Sequence, residues 1–303
     1  MSEFIVSTDL YETSDANVYT SYHFARALGI RPKLYFVDSF SPMIEKTFHP
    51  ASIHTNYIKD NIWDYEYEVT VLKKISRQLE RLSLSKKDFD FEVFEGSISK
   101  GIQHLKQHDD LEFISVGASD HGEIHRLFFN TFAEKTYFNL EKKCLVIKKK
   151  DNQFRKVYML LNPLEDNDET LAHTIELIKK LKTKLNIVCN ANVEFLGLNL
   201  EAFPLEPPPW EMQNKATEML YEKTELMLKE LESNLKKEGI EVAHTMQVSL
   251  NKESALGLTK LLHEIRPDLV IMSPRSHFLR HFSIGSVTHY IIKHNDCNFY
   301  LMP

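Results

Sequence analysis

Short apolar runs alternate along the chain with longer stretches in which apolar residues recur at helical spacing. Leu72, Ile75, Leu79 and Leu82 follow helical spacing, whereas the segment FDFEV (89–93) alternates as a strand with one buried face would. In the first half the pattern predicts strands near 3–9, 32–38, 89–95, 111–117 and 143–148, and helices near 14–28, 60–83, 97–108 and 130–140.

The second half has the same order of elements. Leu171, Ile175 and Ile178 stripe its first helix, and Gly239 follows a long helix near 210–238, as a glycine in the left-handed conformation does. Strands are predicted near 156–162, 192–198, 240–247, 268–273 and 298–302. Strands that alternate with helices predict parallel sheets with helices on both faces.

The two halves are copies of one unit. FIVSTD (4–9) aligns with VYMLLN (157–162), and residues 112–137 align with 268–291, each followed by a strand that carries a cysteine. Internal repetition is a stronger indicator of architecture than any single motif. The polar segment DNQFR lies between the copies, so we predict two domains, 1–150 and 155–303.

Composition narrows the class of protein. The formal net charge of −6 over 303 residues argues against a broad nucleic-acid surface. No apolar run approaches the roughly 18 residues that span a bilayer, and the first residues lack signal-peptide features, so we expect no membrane partner and a cytoplasmic location. The three cysteines Cys144, Cys189 and Cys297 form no CxxC pair and are expected to be small buried residues.

The chain resembles the universal stress proteins, in the tandem form that carries two copies. The resemblance is carried by the repeat order, by Asp9 at the end of the first strand, and by the stretches GASDHGEIHRLFFNTFAEK (117–135) and IGSVTHYIIKHNDCNFYLM (284–302). It implies two doubly wound, parallel five-stranded sheets that are Rossmann-like and similar to the adenine-nucleotide alpha hydrolases, with strand order 3-2-1-4-5. It also implies pairing through the last strands, as a homodimer or as a pseudo-dimer of the two halves, and in many members an ATP site.

The first copy of the ATP loop lacks most of its glycines. The family pattern is G-x-x-G, nine residues, then Gly-Ser or Gly-Thr, whose glycines let backbone N–H groups approach phosphate oxygens. This copy has Gly117 and then Asp120, followed by nine intervening residues and then Asn130 and Thr131. A carboxylate at Asp120, about 4 Å from a phosphate oxygen, repels it by about 1 kcal/mol in water and about 4 kcal/mol at an effective dielectric near 20.

The second copy departs from the pattern in other positions. Its loop begins Met272-Ser273-Pro274-Arg275, so both early glycines are absent, and Met272 and Pro274 add bulk while Pro274 removes an N–H donor. The helix-opening pair, Gly285 and Ser286, is intact, and Arg275 adds a positive charge. Asn162 replaces the acidic residue that the family places at the end of the first strand.

Other site chemistries have little support. Three histidine pairs lie four residues apart, at 104 and 108, 121 and 125, and 277 and 281, which is a spacing that metal sites use. Fourteen histidines produce such spacings by chance, and no HExxH accompanies them, so we predict no metal site and interpret these surfaces as solvated. No GxSxG elbow, nucleophilic cysteine–histidine signature or GxGxxG fingerprint is present, so no catalytic residue is predicted.

These observations predict a non-catalytic stress-response protein that binds or signals, with degenerate ATP loops in both halves and no certain cofactor. The alternative is a protein that binds ATP or AMP, or hydrolyses ATP slowly, with one half still competent. A third possibility is a purely structural dimerisation scaffold. Ligand-binding candidates are Asp9, Gly117, Asp120, Asn130, Thr131, Asn162, Arg275, Gly285 and Ser286, and the ligand is AMP, ATP or a small anion.

Overall fold

The computed structural model divides the protein into two compact units, Met1–Asn152 and Gln153–Pro303. The residues that the structure describes are 2–38, 64–117, 140, 142–162, 168–192, 210–249, 254–273 and 286–302.

The first unit is a parallel five-stranded sheet with the strand order β3-β2-β1-β4-β5. Its elements are β1 (Glu3–Thr8), α1 (Asp15–Leu28), β2 (Pro32–Asp38), α2 (Asp64–Arg81), β3 (Asp90–Glu95), α3 (Ile98–Leu105), β4 (Leu111–Gly117) and β5 (Lys143–Ile147). This confirms the predicted doubly wound order, since β1 lies in the centre and the chain winds outward from it in both directions.

The second unit repeats this architecture with the order β8-β7-β6-β9-β10. Its elements are β6 (Lys156–Leu161), α4 (Asp168–Leu181), β7 (Lys184–Asn192), α5 (Trp210–Lys237), β8 (Val242–Ser249), α6 (Ser254–Ile265), β9 (Leu269–Met272), α7 (Ser286–His294) and β10 (Asn298–Leu301). Counted from the first strand of each unit, both orders are 3-2-1-4-5.

The core of the first unit is centred on β1. Phe4, Ile5 and Val6 are consecutive and all fully buried, because helices cover both faces of the strand. Phe4 meets Phe24 of α1 and Phe113 of β4 edge-on, with ring centroids 6.1 and 5.8 Å away. Edge-to-face contacts of this kind are favoured by the aromatic quadrupole and fix how α1 packs on the sheet.

The buried face of α2 differs from the predicted stripe by one residue. Leu72 is 42% exposed, whereas Val71 is buried together with Ile75 and Leu79. The spacing of Val71, Ile75 and Leu79 is four and four, so these residues lie along one side of the helix. Leu72 lies about 100° around the axis from Val71 and therefore leaves the buried face.

The prediction that the third strand buries one full face was wrong. Phe89 is buried just before β3, but within the strand Phe91 is only half-buried and Val93 is 39% exposed. The strand is the outermost of its sheet and pairs only with β2. The short helix α3 covers part of its length, so apolar alternation alone overstates the burial of an edge strand.

The second strand of the second unit lies earlier than predicted. The expected position was 192–198, whereas β7 spans Lys184–Asn192 and pairs with β6 from Lys156↔Lys184 onward. The helix before it ends without glycine, since Lys182 itself adopts a left-handed conformation with φ 53°. That tight reversal brings the chain directly into the sheet, so the strand begins two residues later.

Candidate functional site

The candidate site of the first unit lies at the carboxyl edge of its sheet, where parallel sheets bind ligands. The strands β1 and β4 are neighbours, with Val6 paired to Ser115. Asp9 follows β1 directly and Gly117 is the last residue of β4. The structure therefore brings these two predicted residues to the same edge of the sheet.

Asp9 is exposed and its carboxylate is held in a local turn. One oxygen accepts the backbone N–H of Tyr11 at 2.9 Å, and the other accepts the Thr13 hydroxyl at 2.5 Å. Leu10 between them adopts φ 65°, which is uncommon for a residue with a branched side chain, and its side chain is buried. The turn fixes the carboxylate at the surface, where each oxygen has one lone pair left for a ligand donor.

A buried glutamine supports this turn from below. Gln78 of α2 is fully buried, and its side-chain oxygen accepts the Thr8 hydroxyl at 3.0 Å. Its amide nitrogen donates to the Ser14 hydroxyl at 2.9 Å and to the Tyr11 carbonyl at 3.3 Å. The helix α2 is thus hydrogen-bonded to the segment that carries Asp9. Sequence reasoning missed Gln78, whose only signal is a polar residue next to the apolar stripe of α2.

Gly117 is not required by its backbone conformation. Its φ lies outside the left-handed region, and an added Cβ would lie 3.4 Å from the Cβ of Asn17, close to an ordinary van der Waals distance. The neighbouring Asn17 is buried and donates to the Ser7 carbonyl at 2.7 Å, while its oxygen accepts the Ser115 hydroxyl at 2.5 Å. These bonds fix the ends of β1 and β4 to α1.

The second unit presents the corresponding edge with different residues. Asn162 follows β6, and Met272 ends the neighbouring strand β9. Met272 is only 4% exposed and its carbonyl accepts the N–H of Met302 at 3.1 Å, so it continues the sheet. Its side chain is buried with the core of the second unit, and the loop that follows Ser273 lies outside the described residues. The helix α7 begins at Ser286, where the intact helix-opening pair predicts a helix start.

Several predicted residues cannot be placed at either edge. Asp120, Asn130, Thr131, Arg275 and Gly285 lie outside the described residues, and so does the side chain of Ser286.

One open cavity of about 610 Å³ lies at the amino-terminal edge of the second sheet. Arg155, Lys182, Thr183 and Gly239 are among its lining residues, and none of the predicted site residues is. It is therefore separate from the edge at which the loops leave the strands. Within the described segments, no helix has the length and apolar character needed to cross a membrane.

Two parallel sheets of order 3-2-1-4-5, each with a small or polar residue where its first strand ends, define a tandem α/β protein of the doubly wound type. The universal stress protein family model matches residues 154–303. The chain belongs to that family through its second half, and the first half has the same fold.

Solved structures agree over both units. A universal stress protein from Archaeoglobus fulgidus DSM 4304 matches with a TM-score of 0.60 at 15% identity, over 99% of this chain and 95% of that one. A functionally unknown protein from Pseudomonas aeruginosa PAO1 matches with a TM-score of 0.59 at 8% identity, over 99% of this chain and 92% of that one. At these identities the likeness concerns the fold alone. No curated protein matches this chain in sequence.

Proposed function

We propose that this chain is a non-catalytic stress-response protein that binds a ligand or partner, and that neither half has a complete ATP loop. The observation that carries the proposal is the loss of loop glycines in both copies. The first copy keeps Gly117 but has Asp120 and Asn130, and the second keeps Gly285 but has Met272 and Arg275.

Electrostatic repulsion is expected to weaken the binding of a triphosphate to the first half. The carboxylate of Asp120 stands at the fourth position of the loop, where the family pattern has glycine. Its repulsion of a phosphate, about 1–4 kcal/mol depending on the local dielectric, corresponds to a loss of affinity of about fivefold to a thousandfold.

The alternative function is nucleotide binding or slow ATP hydrolysis by one half. Two observations favour it. Asp9 and Gly117 lie together at the carboxyl edge of the first sheet, and α7 of the second unit starts at Ser286 as a phosphate-binding helix would. No described group combines with Asp9 to form a general acid–base pair, so any hydrolysis is expected to be slow.

Calorimetric titration with ATP and AMP distinguishes the two functions. The unmodified chain is expected to bind ATP weakly or not at all, and the double variant Asp120→Gly/Asn130→Gly is expected to bind it more tightly. Asp109→Gly serves as the control, because it removes the same charge from an exposed position outside the loop. Tight ATP binding by the unmodified chain, or nucleotide retained through purification, would show that the missing glycines are not needed.

We also propose that the last strands, β5 and β10, form pairing edges. Each is the final strand of its own parallel sheet, and an edge strand offers unpaired backbone groups to another strand. Pairing within one chain gives a monomeric pseudo-dimer, and pairing between chains gives a homodimer. Sedimentation equilibrium distinguishes these forms, and slow amide exchange along β5 and β10 is expected in both. Fast exchange along the outer side of both strands would contradict the pairing.

A further inference from the structure

A cluster of charged and imidazole side chains lies at the amino-terminal edge of the first sheet, away from the Asp9 edge. Glu3 is the first residue of β1, whereas Asp9 follows its far end. The register pairs Ile5 with Lys33 and Tyr35 with Glu92, so Glu3, Lys33 and Glu92 point to one face of the sheet.

Two histidines reach this cluster from α3 and the turn that follows it. His104 lies in the last turn of α3, and His108 lies three residues beyond its end. His104 Nε2 is 2.9 Å from Glu92 Oε1, and His108 Nε2 is 3.4 Å from the same oxygen. One ligand atom from each of Glu92, His104 and His108 can be chosen so that all three lie within 4.8 Å of one another.

The other ring nitrogen of His108, Nδ1, already has a hydrogen-bond partner. His108 Nδ1 lies 2.7 Å from Glu3 Oε2, so Nδ1 donates its proton to that carboxylate and Nε2 is left with its lone pair toward Glu92. A carboxylate on the far nitrogen of a histidine is the arrangement that orients metal-ligating imidazoles in proteins. Burial raises the pKa of Glu3, but its bonds to Lys33 and His108 outweigh this effect, and the pKa falls below its usual value. Glu3 therefore remains an anion near neutral pH.

Lys33 orients Glu92 in a similar way. Its ammonium group contacts Glu3 and lies 3.1 Å from Glu92 Oε2, which leaves Oε1 facing the two imidazoles. With both histidines neutral, the two carboxylates and one ammonium carry a net charge of about −1, and a divalent cation is attracted to such a group. The Lys33 charge opposes this attraction and restricts the site to ions that bind imidazole strongly.

The helix α3 is held at a fixed depth above the sheet. An added Cβ at Gly101 would lie 2.8 Å from Val37 Cγ2, so the helix backbone approaches β2 as closely as a glycine permits. The Tyr35 hydroxyl donates to the Gly101 carbonyl at 3.0 Å. The ring of Phe94 stacks on His104 with centroids 5.1 Å apart. The position of His104 over Glu92 is therefore set by packing as well as by its own hydrogen bond.

We propose that Glu92, His104 and His108 bind a divalent transition-metal ion such as Zn²⁺, with Glu3 as the positioning residue for His108. Two imidazoles and one carboxylate are a ligand set that Zn²⁺ uses, at distances of about 2.0–2.2 Å, with water in the fourth position. The nitrogen ligands favour Zn²⁺, Co²⁺ or Ni²⁺ over Ca²⁺ and Mg²⁺. Small rotations of the three side chains bring their ligand atoms from the present spacing to a common ion. For the pair His104 and His108, this proposal departs from the expectation, drawn from the sequence, that the chain has no metal site.

The metal competes with protons for this site. In the metal-free protein His104 Nε2 donates to Glu92, so coordination of an ion by Nε2 requires the imidazole to carry its proton on Nδ1 instead. The groups that face the site are Glu3 from β1, Lys33 from β2, Glu92 from β3, and the two histidines.

Titration of the chelator-stripped full chain with Zn²⁺ tests the proposal. The other histidine pairs, at 121 and 125 and at 277 and 281, can also bind Zn²⁺, so the decisive quantity is the change on substitution. His104→Gln/His108→Gln is expected to abolish one equivalent of binding. Glu3→Gln is expected to retain that equivalent with an affinity about 10–100-fold lower.

His173→Gln is the matched control, because His173 also lies near a carboxylate, with His173 Nε2 4.0 Å from Glu169 Oε1, and this is its one acidic partner among the described residues. Circular dichroism checks that every variant folds. If His104→Gln/His108→Gln does not fold, Glu92→Gln is used in its place. Co²⁺ substitution gives a second readout, a visible absorption band that is expected to disappear in the same variants. Equal Zn²⁺ stoichiometry and affinity in the unmodified chain and in the ligand variants would overturn the proposal.

Discussion

At the scale of single residues, the carboxyl edge of the first sheet is organised by polar side chains that lie beneath it. Asn17 and Gln78 are buried, and each is hydrogen-bonded to more than one element. A buried amide with all its partners in place specifies geometry, whereas the same amide with a missing partner destabilises the fold. The exposed Asp9 depends on these residues, because the segment that carries it is fixed by Gln78.

Replacing Gln78 with leucine tests this dependence. The substitution keeps the volume but removes the bonds to Thr8, Ser14, Asp15 and the Tyr11 carbonyl. We expect the free energy of unfolding to fall by about 1–3 kcal/mol, because buried polar partners lose a bond that water cannot replace. Urea denaturation measures the change. Gln103→Leu is the control, since Gln103 is exposed on α3. An equal effect of both substitutions would contradict the role of Gln78.

The cysteines provide a second prediction at this scale. Burial raises the pKa of the Cys144 thiol and of the Cys189 thiol to about 12 each. At pH 8 only about one such thiol in ten thousand is ionised, and the thiolate is the reactive form. We expect neither to react with a thiol reagent such as DTNB in the folded protein, and both to react in denaturant.

The same shift gives a direction for stability at alkaline pH. A thiol with a raised pKa in the folded state is ionised first in the unfolded state, so the unfolded state binds fewer protons above about pH 9. The contribution of Cys144 and Cys189 is therefore complete below about pH 9 and is lost as the pH rises toward 12. For thiol labelling, rapid reaction of Cys144 or Cys189 at pH 8, in conditions where the circular dichroism is native, would contradict the prediction that both thiols are unreactive in the folded protein.

At the scale of elements, several helices of this chain end in a left-handed residue, and not all of these residues are glycine. Gly29 and Gly239 have φ of 73° and 77°, but Ser83, Lys182 and Arg266 adopt φ of 56°, 53° and 49° after their helices. A residue with a Cβ is strained by about 1–2 kcal/mol in this conformation. This strained conformation occurs where the chain turns sharply from the end of a helix into the next strand.

Lys182→Gly is expected to stabilise the second unit. The relief of strain, about 1–2 kcal/mol, exceeds the extra entropy that glycine loses on folding, about 0.5–1 kcal/mol. We therefore expect the free energy of unfolding to rise by about 0.5–1 kcal/mol, measured by urea denaturation. Lys180→Gly is the matched control, because it places glycine inside the exposed face of α4 and should destabilise by about 1 kcal/mol. A loss of stability in Lys182→Gly would show that its side chain contributes more than its strain costs.

These helix ends explain what the sequence could and could not predict about the elements. Apart from β7, periodicity placed every described strand, together with the helices α1 to α5, and Gly239 was correctly predicted as a helix end. The strand β7 was misplaced because Lys182 carries no sequence signal for a left-handed turn and because apolar alternation continues through 184–198. Leu72 and Val71 are adjacent and both apolar, so a stripe drawn from sequence can include the wrong one. Which of two adjacent apolar residues is buried depends on the elements that pack against the helix, and the sequence pattern does not show those elements.

The residues of the candidate sites likewise divide into those that the sequence could place and those that it could not. Asp9 and Gly117 could be placed at one edge from the repeat and the strand order alone. The supporting residues Asn17 and Gln78 could not, because they are polar residues of amphipathic helices whose partners are distant in sequence. The metal candidate combines residues from β3 and from the end of α3, and the spacing of its two histidines indicated only half of it. Glu92 joins them because β3 lies under α3, which follows from the fold.

At the scale of the whole molecule, the two units share one architecture and differ in the charge of the residues that follow the carboxyl ends of their strands. The first unit places Asp9 there, and Asp120 follows in its loop, whereas the second unit has Asn162 and Arg275 in the corresponding positions of the repeat. In sequence, the first copy is therefore acidic at these positions and the second copy is neutral or basic. An anion is expected to distinguish between them.

We expect a phosphate or a small phosphate ester to bind at the second unit. The first turn of α7 begins at Ser286 and offers N–H groups to an anion, and Arg275 adds a charged donor from the loop. Arg275→Gln should weaken binding of AMP or phosphate by about tenfold, since a hydrogen bond to a charged group contributes about 1.5 kcal/mol. Thr131→Val in the first unit is the control and should have no effect. Titration measures both affinities, and soaking crystals with sulfate or AMP locates the ligand. Occupancy beside Asp9 and Thr131, with nothing bound at Ser286, would reverse the assignment and make the acidic unit the ligand-binding one.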